Sequence, residues 1–206
     1  MSAQKISPLE QSMVDQGMLH VQDSIPSIWV ELKYATTDNF TGVVLYDRML
    51  NAYLHPLALQ KLRKAQTILQ KSHPGLSLLV YDAVRPLSIQ QKMFDVVKGT
   101  PQQAYVANPS KTGLHNYGMA VDLTICDEKG FPLDMGTPFD YFGKAAAIRD
   151  EEGLVEDGLL TPKQVANRRL LRKVMTDAGF YVIQGEWWHF NAVTLENARK
   201  NYQVIE

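Results

Sequence analysis

An apolar segment followed directly by a tight-turn sequence constrains the fold of this chain more than any other feature. Residues 119–126 read Met-Ala-Val-Asp-Leu-Thr-Ile-Cys, and Asp127-Glu-Lys-Gly130 comes next. A short apolar run that ends in a Gly-containing turn predicts a buried strand entering a hairpin. Residues 180–183 and 188–190 repeat this arrangement around Gln184-Gly185-Glu186. Strands joined by hairpins pair antiparallel, so the sequence predicts a mainly antiparallel sheet.

Helical spacing of apolar residues predicts two long helices outside these hairpins. One covers residues 56–72, with Pro56 in its first turn, and the other runs from Thr161-Pro162 to Ala178, before Gly179. The fold class is therefore α+β, with a central sheet flanked by helices. The remaining predicted segments are a strand over 28–35, a buried strand over 76–81, a helix from an N-cap at Ser88 to residue 97, and loop-rich stretches over 98–116 and 134–158.

The composition limits the number of domains and the class of protein. The chain has 206 residues, of which 45% are apolar and 21% charged, so it can bury one core. We predict a single domain over residues 1–206, with an N-terminal arm over 1–25. The formal net charge of −1, without a basic run, argues against nucleic-acid binding. Every apolar run is far shorter than the ~18 residues of a membrane span, so none is predicted.

The compartment stays open at this level. The N-terminal Met1-Ser-Ala-Gln-Lys-Ile-Ser-Pro8 lacks the apolar core of a signal peptide. A cytoplasmic protein fits this absence, and so does a periplasmic protein whose signal has been removed. The single cysteine, Cys126, excludes an internal disulfide and is compatible with either location.

The first cluster that could carry chemistry is Gly113-Leu-His115-Asn-Tyr-Gly118-Met-Ala-Val-Asp122. Asp122 lies between Val121 and Leu123 in an otherwise apolar strand. An ionised carboxylate in that position needs a partner, because burying it alone is costly. A metal ion is one possible partner, and a buried arginine in a structural ion pair is the other.

The second cluster is Gly185-Glu186-Trp187-Trp188-His189-Phe190. Its aromatic, strand-forming residues favour a turn at Glu186 and a strand that carries His189. Taken alone, His189 also fits a neutral, hydrogen-bonded core histidine. Together with His115 and Asp122, it completes two imidazoles and one carboxylate, a set that suits a catalytic zinc ion with one position left for water. Glu186 is then the candidate general base.

A third segment, Val80-Tyr-Asp82-Ala-Val-Arg85-Pro86, adds a cation where a predicted strand ends. A fixed guanidinium at Arg85 could stabilise the oxyanion that forms when water attacks an amide. The alternative is a structural ion pair between Arg85 and Asp82.

These motifs resemble those of the zinc D-alanyl-D-alanine dipeptidases of the VanX type. That family has a Ser-x-His-x-x-Gly-x-Ala-x-Asp motif, a Glu-x-Trp-His motif and an Arg-Pro after a strand. The resemblance covers roughly residues 28–192. Further matches are Lys33-Tyr34-Ala35-Thr-x-Asp38-Asn39-Phe40-Thr41-Gly42, Met135-Gly136-Thr-Pro-Phe139-Asp140, Asn167-Arg168-Arg169 and Leu171-Arg172.

The resemblance implies a role for each candidate residue. One Zn²⁺ per chain would be bound by His115, Asp122 and His189. Glu186 would activate the attacking water and pass its proton to the leaving amine, and Arg85 would stabilise the tetrahedral intermediate. The family fold is a small α+β domain with a central antiparallel sheet, shared with DD-carboxypeptidases and the Hedgehog signalling domain.

The resemblance also implies how the substrate, a small D,D-dipeptide, is bound. Asp140 would meet its free ammonium group, with Tyr34 nearby, because a buried carboxylate reads an amine through charge-assisted hydrogen bonds. The alternative for Asp140 is a structural loop cap. One departure concerns the other end of the dipeptide, since Gly113 stands where the family has a serine expected to help hold that end. Thr112 or backbone N–H groups of this loop could substitute.

Two other functions are compatible with the same zinc ligands. A zinc DD-carboxypeptidase would trim longer peptidoglycan stems, but Asp140 favours a dipeptidase because an anion at the amine end opposes longer substrates. A non-catalytic zinc-binding module would need neither Glu186 nor Arg85, so their presence argues against it. Zinc-dependent hydrolysis of D-Ala-D-Ala is therefore the function we predict.

Overall fold

A five-stranded sheet forms the core of the protein in the computed structural model, which describes residues 6–206. The elements follow one another as α1 (Pro8–Asp15), β1 (Leu19–His20), α2 (Val21–Ser24), β2 (Trp29–Val30), β3 (Tyr53–Leu54), α3 (Pro56–Ser72), β4 (Ser77–Asp82), α4 (Leu87–Val97), β5 (Ala120–Cys126), α5 (Glu151–Glu156), α6 (Pro162–Asp177), β6 (Tyr181–Val182), β7 (His189–Asn191) and α7 (Leu195–Asn201).

The strands of this sheet lie in the order β2-β4-β5-β7-β6. The pairs β4–β5, β5–β7 and β6–β7 are antiparallel, and β2–β4 is parallel. All residues of β4 and β5 are buried, which explains why their sequences are nearly continuous apolar runs. The predicted α+β class with a mainly antiparallel sheet is confirmed. A separate two-stranded sheet pairs β1 with β3.

The two long helices have end signals that their sequences specify. The ring of His55 accepts a hydrogen bond from the Leu57 N–H and caps α3, which begins at Pro56. Thr161 caps α6 in a reciprocal pair of hydrogen bonds with Gln164. Gly179, just after α6, has a φ of 98°, a conformation that glycine adopts easily. The two helices pack against each other.

Three predicted segments differ from the structure. The strand predicted over 28–35 is limited to Trp29–Val30, because the chain then turns into a short 3₁₀ helix at Lys33–Ala35. The loop-rich stretch 134–158 contains α5, whose N-cap is Asp150. The N-cap predicted at Ser88 is wrong, since α4 begins at Leu87 after Pro86.

The N-terminal segment contributes to the core. Met13 in α1 and Val21 in α2 are fully buried. The single domain and its arm over residues 1–25 stay a prediction, and residues 1–5 of that arm lie outside the described part of the chain. Within residues 6–206, no helix is both long enough and apolar enough to cross a membrane.

Candidate metal centre and active site

Three side chains that can bind a metal ion converge beside the end of β4. Ligand atoms of His115, Asp122 and His189 all lie within 4.8 Å of one another. His115 Nε2 is 3.3 Å from His189 Nδ1 and 3.4 Å from Asp122 Oδ2. His189 Nδ1 is 2.9 Å from Asp122 Oδ1. The structure therefore brings the predicted set of ligands together.

Strand pairing and one tight turn deliver these ligands. Asp122 in β5 and His189 in β7 are direct partners in the antiparallel ladder, so their side chains share a face of the sheet. His115 lies in a 3₁₀ turn over Leu114–Tyr117, which ends at Gly118 with a φ of 64°. A Cβ at Gly118 would lie 2.9 Å from the backbone nitrogen of His55, which cannot move aside as a side chain can, so this turn requires a glycine.

The hydrogen bonds of the outer ring nitrogens of His115 and His189 show whether the three side chains could bind a cation. His115 Nδ1 is 2.6 Å from the Ala83 carbonyl oxygen, and His189 Nε2 is 2.7 Å from Asn191 Oδ1. Each acceptor takes the N–H of its ring, which leaves the lone pairs of His115 Nε2 and His189 Nδ1 facing the Asp122 carboxylate. Three lone-pair donors directed at one another fit a bound cation, and the ligand types suit zinc.

The surroundings of Asp122 keep its carboxylate charged. Burial raises the pKa of Asp122, but His115 and His189, when their rings are protonated, outweigh burial through charge and hydrogen bonds and hold that pKa well below the usual aspartate value. An Arg85 terminal nitrogen is 3.9 Å from Asp122 Oδ2. Asp122 therefore has both kinds of partner that its place in an apolar strand suggested, a buried arginine and a possible metal site.

Arg85 is held rigidly at the same place. Its Nε and one terminal nitrogen donate to Asp82 Oδ2 at 3.0 and 2.6 Å, and its other terminal nitrogen donates to Gln90 Oε1 at 3.1 Å. The guanidinium carbon lies 5.1 Å from the centroid of the Tyr34 ring. These bonds use three of the five N–H donors of a guanidinium, so two are left for another ligand. Arg85 therefore both forms the ion pair with Asp82 and lies beside the candidate metal ligands, so the two sequence-based interpretations do not exclude each other.

Glu186 enters the site from the turn between β6 and β7. It lies three residues before His189, and its neighbours Trp187 and Trp188 are buried. Burial raises the pKa of the Glu186 carboxyl above its ordinary value, and the charge of His189 opposes that rise. A partly buried carboxylate beside a metal site can take and return a proton.

Asp140 and Tyr34 form the opposite wall. The Tyr34 hydroxyl donates to Asp140 Oδ2 at 2.8 Å. Asp140 has a φ of 58°, in the left-handed region that aspartate enters more often than most residues with a Cβ. Burial, and then the charge of Asp122, raise the pKa of Asp140 well above its usual range. The positive charge of Arg85 offsets this rise only in part, so a cationic ligand would further favour the ionised carboxylate.

Gly113 lies in the wall of the same cavity. The Thr112 hydroxyl and the Gly113 N–H, which could substitute for the serine of the family, already have hydrogen-bond partners. The Thr112 hydroxyl lies 2.8 Å from the Lys111 carbonyl oxygen and 3.0 Å from the Tyr117 hydroxyl. The Gly113 N–H donates to Asn116 Oδ1 at 2.7 Å. A Cβ at position 113 would meet its nearest atoms at 3.9 Å, so a side chain has room there.

All seven residues singled out from the sequence line one cavity of about 320 Å³. Its apolar wall includes Phe40, Met93, Tyr105, Val106 and Phe142. Pockets of this size, with a few polar groups directed into an apolar wall, are typical of small-molecule sites. The predicted site residues are Tyr34, Arg85, His115, Asp122, Asp140, Glu186 and His189.

Two supporting residues of this cavity were not predicted from the sequence. Asn191 orients His189, and Gln90 holds Arg85. Asn191 had a readable signal, because residues two apart on a strand share a face and Asn191 follows His189 by two. The role of Gln90 had no local signal, since it depends on how α4 packs beside the end of β4.

Comparison with known proteins decides the family. The sequence profile of the family described as D-ala-D-ala dipeptidase matches residues 14–205. The chain belongs to this family. It is therefore a peptidase, as its sequence predicted, and the resemblance noted in the separate motifs extends over nearly the whole chain.

Curated relatives of the family are similar over most of their length. A D-alanyl-D-alanine dipeptidase of Escherichia coli K12 is 38% identical over 165 residues, which are 80% of this chain and 79% of that protein. One from Enterococcus faecalis is 27% identical, covering 87% of this chain and 93% of that protein. One from Enterococcus faecium is 26% identical, covering 84% and 90%.

Proposed function

We propose that this peptidase hydrolyses the peptide bond of D-Ala-D-Ala or a related D,D-dipeptide with one bound Zn²⁺. The observation that carries the proposal is the single cavity lined by three metal-binding side chains, a carboxylate, a fixed guanidinium and a second carboxylate. Membership of the D-ala-D-ala dipeptidase family supports the substrate, and so do the names of the relatives.

His115, Asp122 and His189 would hold the zinc ion. A zinc ion bound at such a site supplies an activated water and polarises a carbonyl group. Glu186 takes the proton of the attacking water and then delivers it to the nitrogen of the departing D-alanine. Its position on a turn, with the buried Trp187 and Trp188 behind it, keeps the carboxylate beside the site.

Arg85 stabilises the negative charge that develops on the carbonyl oxygen. Asp82 and Gln90 fix the guanidinium before the substrate arrives, and the two N–H donors that these bonds leave free are available to the reacting carbonyl. Donors that are already oriented cost little reorganisation when charge appears, which makes such groups effective in a water-poor site.

Asp140 binds the free ammonium group of the dipeptide, and Tyr34 holds the Asp140 carboxylate. Burial, and then the negative charge of Asp122, disfavour the ionised Asp140 carboxylate, and a bound ammonium group would offset both. A substrate with a blocked amine brings no such charge and is refused. This is the physical basis for reading dipeptides in preference to longer peptides.

Replacing Asp140 with asparagine is expected to raise KM for D-Ala-D-Ala by about 10- to 100-fold, the cost of losing a hydrogen bond to a charged group. The asparagine keeps the shape and loses the charge, so kcat should change much less. Steady-state kinetics of the zinc-loaded variant check this. Asp127→Asn, in the turn after β5, is the matched control. An unchanged KM in the Asp140→Asn variant would refute the ammonium contact.

The experiment that tests the function compares free D-Ala-D-Ala with N-acetyl-D-Ala-D-Ala on the zinc-loaded protein, with release of D-alanine as the readout. We expect the free dipeptide to be hydrolysed and the blocked one to remain intact. Cleavage of both would make the protein a carboxypeptidase. Cleavage of neither, with zinc bound, would refute hydrolysis of D-Ala-D-Ala. A panel of other D,D-dipeptides would then decide between a specificity shifted by Gly113 and a site that only binds.

A further inference from the structure

The largest fully buried side chain of the described residues is a cation outside the cavity. Arg168, in α6, is 1% exposed. Its two terminal nitrogens have no hydrogen-bond partner within residues 6–206. Burial lowers the pKa of its guanidinium to about 10, which still leaves it protonated at neutral pH. A buried and incompletely paired charge is costly, so its presence calls for an explanation.

Arg168 contacts the two segments that contain Asp140 and Glu186. Its Nε donates to the Met135 carbonyl oxygen at 2.6 Å. Its guanidinium carbon lies 5.8 Å from the centroid of the Trp187 ring, within the range of a cation–π contact. Trp187 directly follows Glu186, and Met135 lies five residues before Asp140.

A further hydrogen bond ties these two loops together. Trp187 Nε1 donates to Thr137 Oγ1 at 2.8 Å, which links the turn of Glu186 to the segment of Asp140. The same segment is held by α6 next to Arg168. There Asn167 donates to the Asp134 carbonyl oxygen and Gln164 donates to its carboxylate, both at 2.8 Å.

We propose that Arg168 is a positioning residue for Glu186 and Asp140, an inference that rests on the proposed function. Its guanidinium lies against Trp187 and holds Met135, and so it fixes the general base and the ammonium-binding carboxylate relative to each other. The proposed zinc ligands His115, Asp122 and His189 are not among the residues that Arg168 contacts. His189, two residues after Trp187, is held separately by its pairing with Asp122 and by Asn191. Loss of Arg168 should therefore disturb catalysis without disturbing metal binding.

The variant Arg168→Met separates this role from a purely structural one. Methionine fills a similar volume without charge, and replacing a poorly paired buried charge with an apolar side chain is often neutral or stabilising. A residue that mattered for stability alone would leave kcat and KM of the folded enzyme unchanged. A positioning residue would lower kcat through Glu186 and raise KM through Asp140.

The experiment measures kcat, KM, zinc affinity and thermal unfolding of Arg168→Met and of a matched control, Arg169→Met. Arg169 is on the same helix, half exposed, and paired with Glu152. We expect kcat/KM of Arg168→Met to fall by about 100-fold, the size expected of a displacement near 1 Å. Zinc affinity should stay the same, and the control should behave like the wild type. Wild-type kcat and KM in Arg168→Met would overturn the proposal.

Two further measurements keep the test decisive. If Arg168→Met does not fold, Trp187→Leu tests the same link, since it removes the ring against which the Arg168 guanidinium lies. An unchanged kcat/KM in that variant overturns the proposal. If the wild type hydrolyses neither D-Ala-D-Ala nor a related D,D-dipeptide, the proposed function fails, and the indole N–H resonance of Trp187 decides this inference by itself. An unchanged shift and exchange rate in Arg168→Met would overturn it.

Discussion

Metal-stripped protein is expected to release no D-alanine from D-Ala-D-Ala, and one equivalent of Zn²⁺ per chain is expected to restore the activity. The reason lies in the donor set, since two imidazole lone pairs and a carboxylate face one another with their outer hydrogen bonds already made. The measurement combines the metal content of the protein with the rate of D-alanine release during titration with zinc.

The variant Asp122→Asn tests the same centre by changing one charge. Losing a group that supports a metal ligand weakens metal binding by up to about 100-fold. Asp122→Asn should weaken zinc binding by more than this, because it neutralises a proposed ligand itself. Thr124→Val, two residues along β5 and outside the cavity, is the control and should bind zinc normally. Full activity of the stripped protein, or normal zinc affinity in Asp122→Asn, would exclude this metal centre.

The variant Glu186→Gln is expected to lower kcat by about 10²- to 10⁴-fold, the usual contribution of a general base. Glutamine keeps the size and hydrogen-bonding shape of the side chain but cannot take up a proton from water. Zinc affinity should be unchanged, because Glu186 is outside the ligand set His115, Asp122 and His189. Steady-state kinetics and zinc titration of the same preparation measure the two quantities.

The control for this variant is Glu128→Gln, an exposed residue in the turn after β5. It makes the same chemical change far from the cavity and should keep wild-type kcat. A Glu186→Gln protein that retained full activity would remove Glu186 from the reaction. The proton would then have to be taken by another group.

The sequence predicts best the elements that are long and regular. The helix over Pro56–Ser72 agrees with its predicted bounds, and α6 and β5 differ from theirs by about one residue at an end. Short elements were harder to predict from the sequence, because a segment of two or three residues shows no periodicity. The 3₁₀ turn at Lys33–Ala35 breaks the alternation of residues 28–35, and tertiary packing decides where that strand stops.

The candidate site was predictable as two clusters and a cation, with Asp140 and Tyr34 added by the family resemblance, but most of its supporting contacts were not. His115, Asp122 and His189 are chemically conspicuous in apolar or aromatic surroundings, so each can be selected from the sequence. Their supports are ordinary groups, such as the Ala83 carbonyl oxygen, and they become visible when strands far apart in sequence are paired. The same holds for Arg168, whose burial follows from the packing of α6.

The pairing of Asp122 with His189 across β5 and β7 also determines which changes in chain length the site can tolerate. The two residues are 67 positions apart, yet they face each other because each occupies a set place in its strand. Insertions or deletions in the surface loops between these strands leave the two side chains where they are. A single residue inserted within either strand would turn one of the two side chains to the opposite face of the sheet and separate the pair.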